Sequence, residues 1–415
     1  MQEEQQTIHF NLAHDGGNGY MKDRLNGKTT IFPSVIADFM PGMQNITVDS
    51  ASRDDVESFL DDFINNMDIT TNSKGISDNG RYLVGQAAAY SGVHVTTFNV
   101  NNTAGKYTSD ISVICALAFI AYNALNIYYR HHLVLPDSLN VSVDKFATDL
   151  PIDEFKNQEI VKSFIARFKG NLHTVTINTF DKPINVQIKF GQVAVEPEGL
   201  TGERGLIISP SYRGMYRDDD VFNPLLVDYQ LDHFDGQDLA EAGNVICIDI
   251  GDGTVDFSTM NGLSTLTLAN MNDSLASGVG NVATDAINAL HQKYPMIRKL
   301  NRQKFMEIAN RGNDKESLTY KEFFDEQVKS LNRRIISKLS AIYNSLDQQV
   351  GMIVVCGGGA VALKDSLAPA LKEAMSKLDV FDRTKIFWID KEFAQTLNLD
   401  GLQARILSMR DRDDK

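Results

Sequence analysis

Two short segments of this chain carry the residue types needed to hold a polyphosphate. One is Asp15-Gly16-Gly17-Asn18-Gly19, with Lys22 on the returning strand, and the other is Asp249-Ile250-Gly251-Asp252-Gly253-Thr254. Both read D-x-G-[N/D]-G, and each leads to an Asn-Gly pair, Asn26-Gly27 and Asn261-Gly262, of the kind that closes a type I′ hairpin. A glycine turn after a strand lets backbone N–H groups approach a phosphate, because no Cβ intervenes and a positive φ turns the amides inward. Asp15 and Asp249, at the strand ends, are placed to hold Mg²⁺ through its waters. Lys22 is within reach of the β- and γ-phosphates as a point charge. A single copy is better read as an aspartate capping its own turn; the repetition reverses that preference and points to a duplicated domain.

A third segment, Val354-Val355-Cys356-Gly357-Gly358-Gly359-Ala360, is a strand feeding a triple glycine and then a helix over residues 361–377. Such a turn lets a flat ring or sugar lie against bare backbone, and the helix N-terminus favours a phosphate. Close packing of strand on helix explains the same glycines.

The elements that must position these turns alternate between strand and helix patterns, so the chain is α/β. Strands are expected at 7–13, 20–25, 29–32, 81–85, 139–143, 174–180, 185–190, 245–248, 254–260 and 352–356. Helices are expected at 154–168, 281–293, 302–309 and 320–344, and residues 192–199 carry the chain into a new region. Residues 111–129 hold no charge, and their polar members Ser112, Asn123 and Asn126 fall near one helical face. That stripe fits a helix buried between a sheet and other helices better than a membrane span.

Hydrophobic residues at 43% and charged residues at 23% are ordinary for a globular protein. The net charge of −14 argues against direct nucleic-acid binding, which needs clustered cations. Cys115, Cys247 and Cys356 lie far apart in apolar runs, which fits neither a disulfide framework nor a zinc site, and a reducing cytoplasm is expected. The N-terminus shows no secretory pattern, and no membrane association is expected.

In order and type, D-x-G-N-G with a nearby Lys, D-x-G-D-G-T and apolar-G-G-G-A resemble the phosphate-1, phosphate-2 and adenosine motifs of the actin-like ATPase superfamily. Within it, Asp15 through Lys22 followed by Thr30-Ile31-Phe32-Pro33-Ser34 resembles the bacterial ParM/StbA-type plasmid-segregation actins, as does the closing stretch from Glu392 to Leu402. The resemblance implies a duplicated actin/heat-shock-chaperone-like (ribonuclease H-like) fold, two lobes with a nucleotide cleft between them. Residues 1–195 plus 386–415 would form the first lobe and 196–385 the second. It further implies a bacterial cytoplasmic filament protein that hydrolyses ATP, or GTP, with Mg²⁺.

On that resemblance Asp15, Asp249 and Glu198 are the catalytic residues. Glu198, in Val195-Glu196-Pro197-Glu198-Gly199, positions the attacking water, with Glu196 as the alternative. Phosphates fall to Gly16, Gly17, Asn18, Gly19, Lys22, Gly251, Asp252, Gly253 and Thr254. The nucleoside falls to Gly278, Gly280 and Asn281, to Gly357, Gly358 and Gly359, and to Lys329 or Arg333 on the long helix. The stretch Arg217-Asp218-Asp219-Asp220 matches no motif of the family. The expected partners are further copies of the chain and a ParR-like DNA-binding adaptor, so that DNA is partitioned without being touched. A small-molecule kinase of the same superfamily is the alternative. A chaperone-type regulator is disfavoured.

Overall fold

The structure is a computed structural model that describes residues 7–43, 47–98, 105–265, 273–297 and 300–410. The chain divides into two compact units, Met1–Glu198 with Leu402–Lys415, and Gly199–Gly401.

In the first unit, β1 (Thr7–Gly16) turns back as β2 (Tyr20–Leu25), with Asp15 opposite Lys22. Asn26 and Gly27, at φ 48 and 88, join β2 to β3 (Lys28–Pro33) in the expected I′ geometry. The further strands are β4 (Val35–Asp38), β5 (Met67–Asn72), β6 (Arg81–Val84), β7 (Thr96–Thr97), β8 (Ser138–Leu150), β9 (His173–Ile177) and β10 (Ile184–Pro197). Among the described residues they form a ten-stranded sheet in the order β3-β2-β1-β8-β10-β9-β5-β6-β4-β7. Strands β1, β8 and β10 run parallel at its centre. Residues 192–197 do not leave the sheet as expected; they pair with residues 145–150 and extend β10. That extension carries the chain to Glu198 beside the end of β8, where Glu198 N donates to Leu150 O at 2.8 Å.

The uncharged segment forms helix Asp110–His132, started by the Ser109 side chain and ended by Leu133 in the left-handed region. Its residues are buried in the first unit's core with Phe10, Leu12, Val143 and Phe146, as a core helix requires. The polar exceptions have partners: Ser112 meets His14, Tyr122 OH meets Asp68 N and Thr179, and Asn126 donates to Leu60 O. The expected helix 154–168 is two helices, Ile152–Phe155 and Gln158–Phe168, because Asn157 caps the second one afresh.

The second unit is built on β11 (Asn244–Ile250), β12 (Val255–Asn261), β13 (Ser264–Thr265), β14 (Asp273–Leu275), β15 (Met352–Cys356) and β16 (Lys385–Trp388). Among the described residues the order is β13-β12-β11-β15-β16, with β14 on β12. The period of two along β11 and β15 splits the core in two. Ile246, Ile248, Ile250, Ile353 and Val355 pack with helices Val279–Lys293, Arg302–Asn310, Lys315–Ser345 and Gly358–Leu378. Val245, Cys247, Met352, Val354 and Cys356 pack on the opposite side with Leu206, Leu225, Leu239 and Leu397.

The expected lobe boundary is shifted. Strand β16 pairs with β15, and Phe387, Ile389, Ala394 and Leu397 are buried in the second unit's core. Residues 386–401 therefore belong to the second unit, and the first regains the chain at Leu402. The second Asn-Gly turn also departs from type I′. Gly262 alone of its two loop residues has a positive φ, 61, because Asn261 is still paired in β12 with Ser264. The aspartate-rich stretch has a fold role: the buried Arg217 guanidinium joins Asp219 at 3.0 Å, Gly205 O at 2.7 Å and Asp400 at 2.9 Å.

Candidate functional site

In the first unit, three parallel strand ends bring acidic groups together. His14 pairs with Thr148 and Glu196 with Asp149, so Asp15, Asp149 and Glu198 stand at neighbouring strand ends. Asp15 is 3% exposed and accepts from Lys22 Nζ at 2.7 Å. The turn between them is held by Ser34, whose hydroxyl donates to Gly17 O at 2.6 Å and whose N–H donates to Gly19 O at 3.1 Å. Gly17 is required by close approach, since a Cβ there would lie 2.8 Å from Tyr20 O. The expectation of a positive φ at these turn glycines is corrected. Gly16, Gly17, Gly19, Gly251 and Gly253 do not occupy that region; at Gly17 and Gly251 the closeness of Tyr20 O and Thr254 O is what a side chain would meet.

Behind Asp15, His14 Nδ1 lies 2.6 Å from Asp23 Oδ1, both groups fully buried, and burial raises the Asp23 carboxyl even against the attraction of His14. Asp149 is 1% exposed, and neither carboxylate oxygen has a hydrogen-bond partner among the described residues. Burial pushes its pKa well up and Asp15 adds to the rise, with Lys106 opposing both. Lys106 is buried, ion-paired with Glu198, and 3.7 Å from Asp149 Oδ1. Burial pulls the Lys106 ammonium down, but Glu198 and Asp149 outweigh it and hold it charged. Glu196 instead pairs with Arg405 at 2.8 Å, so the two candidate glutamates have different partners.

In the second unit, Asp249 is the penultimate residue of β11, and the Gly251–Thr254 turn that follows closes by a Gly251 N to Thr254 O bond of 2.9 Å. Three glycine turns meet there. Gly280 N donates to Asp252 O at 2.8 Å, and Val279 N donates to Gly251 O at 3.1 Å. A Cβ at Gly278 would come within 2.5 Å of both carbonyls. Gly357 has φ 90, and a Cβ on it would lie 2.2 Å from Asp249 Oδ1 and 2.5 Å from Ile250 O. A Cβ at Gly359 would lie 2.7 Å from Val279. The starts of helices Val279–Lys293 and Gly358–Leu378 thereby converge on the Asp249 turn, which places helix-terminal amides there. Asn281 caps its helix through the Gly278 N–H, and Thr254 Oγ1 donates to Asp256 at 2.7 Å. Asn398 Nδ2 donates to Asp249 Oδ2 at 3.1 Å.

In each unit the residues present suit a hydrated magnesium ion and phosphate: in the first, Asp15 offers a hard oxygen donor near Asp149, whose buried oxygens lack hydrogen-bond partners among the described residues. In the second, Asp249 offers another, and a Cβ at Gly278 or Gly357 would fill the space beside its turn. Lys329 and Arg333 are both exposed on helix Lys315–Ser345, and Arg333 Nε bonds to Lys329 O at 3.3 Å. The Arg302 guanidinium meets Asp252 at 3.1 Å and Thr284 at 2.7 Å, beside Gly280. The sequence does not single out Arg302, Lys106, Asp149 or Asn398. Only Asp149 carries a signal, an aspartate ending a strand before Leu150-Pro151, in the manner of Asp15 and Asp249.

Glu203 is a further buried acid, on the opposite side of the β11 sheet from the long helices. It accepts from Ser258 at 3.0 Å, and burial raises its pKa to about 8 against the Ser258 and Cys247 hydrogen bonds. A raised acid favours the folded state fully below its unfolded pKa and loses that contribution as pH rises to the folded value. Wild type should therefore lose on the order of a few kcal/mol relative to Glu203→Gln between about pH 4.5 and 8. Urea denaturation across that window checks this; parallel pH profiles would contradict it.

A duplicated α/β chain with a D-x-G hairpin on each sheet has the architecture of the actin-like fold, and comparison with known proteins bears this out. The family model for the archaeal actin homologue MreB-like, C-terminal, matches residues 247–369. Among solved structures, the actin-like protein Alp7A aligns with a TM-score of 0.68 at 17% identity over 96% of each chain. A 15-stranded ParM filament from Clostridium botulinum aligns at 0.61 and 18% identity, covering 96% of this chain and 99% of that one. Bacillus thuringiensis ParM with AMPPNP aligns at 0.58 and 14% identity, covering 97% and 99%. No curated protein sequence matches the chain. The resemblance to the actin-like superfamily holds, with ParM proteins among the structural neighbours.

Proposed function

We propose that the chain is a filament-forming nucleoside triphosphatase that uses ATP, with GTP as the alternative, and partitions DNA through a ParR-like DNA-bound adaptor in a bacterial cytoplasm. The observation that carries this reading is the pair of D-x-G hairpins, each ending a central strand, the second packed against the triple glycine at Gly357. Its filament part is supported by likeness to a ParM solved as a filament, and its nucleotide part by likeness to a ParM with AMPPNP and to an archaeal actin homologue with ADP. The net charge of −14 suits a filament that reaches DNA only through an adaptor.

In this reading the Gly16–Gly19 and Gly251–Thr254 amides and Lys22 hold the phosphates. Asp15 and Asp249 hold Mg²⁺ through water; when bound, the ion neutralises charge on the β- and γ-phosphates. Gly278, Gly280, Asn281 and the 357–359 glycines take the nucleoside, with Arg302 beside them. Glu198 orients the attacking water.

Glu198→Ala should slow phosphate release by about 10²-fold or more while polymer persists longer after a pulse of ATP. Light scattering and phosphate release recorded together test this. Normal hydrolysis would move the role to Glu196.

A further inference from the structure

We propose that Lys106 is a positioning residue that fixes the Glu198 carboxylate for its work, with Asp149 as the buried counter-anchor. The proposal rests on Glu198 being the water-orienting group.

The Lys106 backbone is braced on two sides. Lys106 follows Gly105, at φ 85, and opens the short turn Lys106–Thr108 ahead of helix Asp110–His132. The Glu154 carboxylate accepts from Lys106 N at 2.6 Å and from Tyr107 N at 2.9 Å. Arg167 Nη1 donates to Tyr107 O and Ser109 O, each at 2.8 Å, and its Nη2 pairs with Asp110. A lysine stem rooted in such a turn has few alternative placements. Its ammonium, 7% exposed, ends between the carboxylates of β8 and of the segment leaving β10.

Glu198 needs such a partner. It precedes Gly199, at φ 81, is the last residue before the chain enters the second unit, and its side chain is 19% exposed. Without Lys106 its carboxylate would be free to turn. Asp149 explains why the cation stays. A fully buried carboxylate without hydrogen-bond partners is costly unless a charge compensates it, and the buried Lys106 Nζ lies 3.7 Å from its Oδ1. An apolar pair would fill the same space at less cost, so retention of charge at both ends is consistent with placement of Glu198 as the gain.

The test compares Lys106→Met, Lys106→Arg, Glu198→Gln and the Lys106→Met/Glu198→Gln double variant. Each is measured for phosphate release at saturating ATP-Mg²⁺ and for equilibrium binding of a fluorescent non-hydrolysable ATP analogue. Lys106→Met should lower kcat by about 10²-fold, the scale of a misplaced reacting group, while analogue affinity changes less than about threefold. Lys106→Arg should recover part of kcat, and the double variant should be no slower than Glu198→Gln alone. Loss of analogue affinity in Lys106→Met with kcat unchanged would overturn the proposal, making Lys106 a phosphate contact. So would multiplicative losses in the double variant. Normal hydrolysis by Glu198→Gln would overturn it through the role of Glu198, and that outcome is distinct from the other two. If Lys106→Met does not fold, Lys106→Met/Asp149→Asn, which removes both buried charges, carries the same comparison.

Discussion

Asp249→Ala should abolish metal-dependent hydrolysis, with phosphate release falling by at least about 10²-fold. Asp249 is the penultimate residue of β11, where the strand runs into the Gly251 turn, and its carboxylate is held by Asn398 on one side and closely backed by Gly357 on the other. That placement suits a hard oxygen donor to a hydrated magnesium ion, a role that depends on charge. Asp249→Asn keeps the shape and should lose nearly as much activity, with a thermal midpoint closer to wild type. Phosphate release in a coupled assay, paired with melting curves for both variants, separates lost charge from lost structure. Wild-type turnover in either variant would remove Asp249 from the metal role.

Gly357→Ala should be still more damaging, because it acts on structure and binding together. The residue sits at φ 90, where a side chain is strained by roughly 1–3 kcal/mol before any contact is counted. The added methyl would also meet Asp249 Oδ1 at 2.2 Å, Ile250 O at 2.5 Å and Ile250 N at 2.8 Å. Two of these are backbone atoms of β11, so relief requires separating β15 from β11 or displacing Asp249. A loss of about 3–5 kcal/mol of stability is expected, with analogue binding reduced by at least about tenfold in whatever folds. Urea denaturation and analogue titration measure the two effects. A variant with wild-type stability and affinity would show that the triple glycine is neither tightly packed nor part of the site.

Much of this was legible in residue types. The repeated aspartate-glycine hairpins announce the duplication because a turn's chemistry is local: strand, tight turn and returning strand are set within a dozen residues. The helix around Leu117 is legible for the same reason, an uncharged run with a narrow polar stripe. Long-range relations were harder. Lys106 meets Glu198 across 92 residues of sequence, and no periodicity foretells that ion pair. The closing stretch from Glu392 to Leu402 suggests a return to the first lobe, yet the parallel pairing of β16 with β15 and the burial of Phe387, Ala394 and Leu397 keep residues up to Gly401 in the second unit. Nor does any local pattern foretell that Arg302 reaches Asp252 across 50 residues of sequence. The reason a position holds glycine is less legible than the glycine itself. At Gly17 and Gly278 close backbone approach decides, at Gly27 the dihedral does, and at Gly357 both do.

The most direct test of the central claim is high-speed sedimentation of the purified chain without nucleotide, with ADP, with ATP and with AMPPNP, each with Mg²⁺. A nucleotide-driven filament protein should pellet with ATP and AMPPNP and stay in the supernatant without nucleotide. Its ATP polymer should decay as phosphate is released. A chain that stays soluble in every condition at high concentration, while transferring the ATP phosphate to a small-molecule acceptor, would contradict the account.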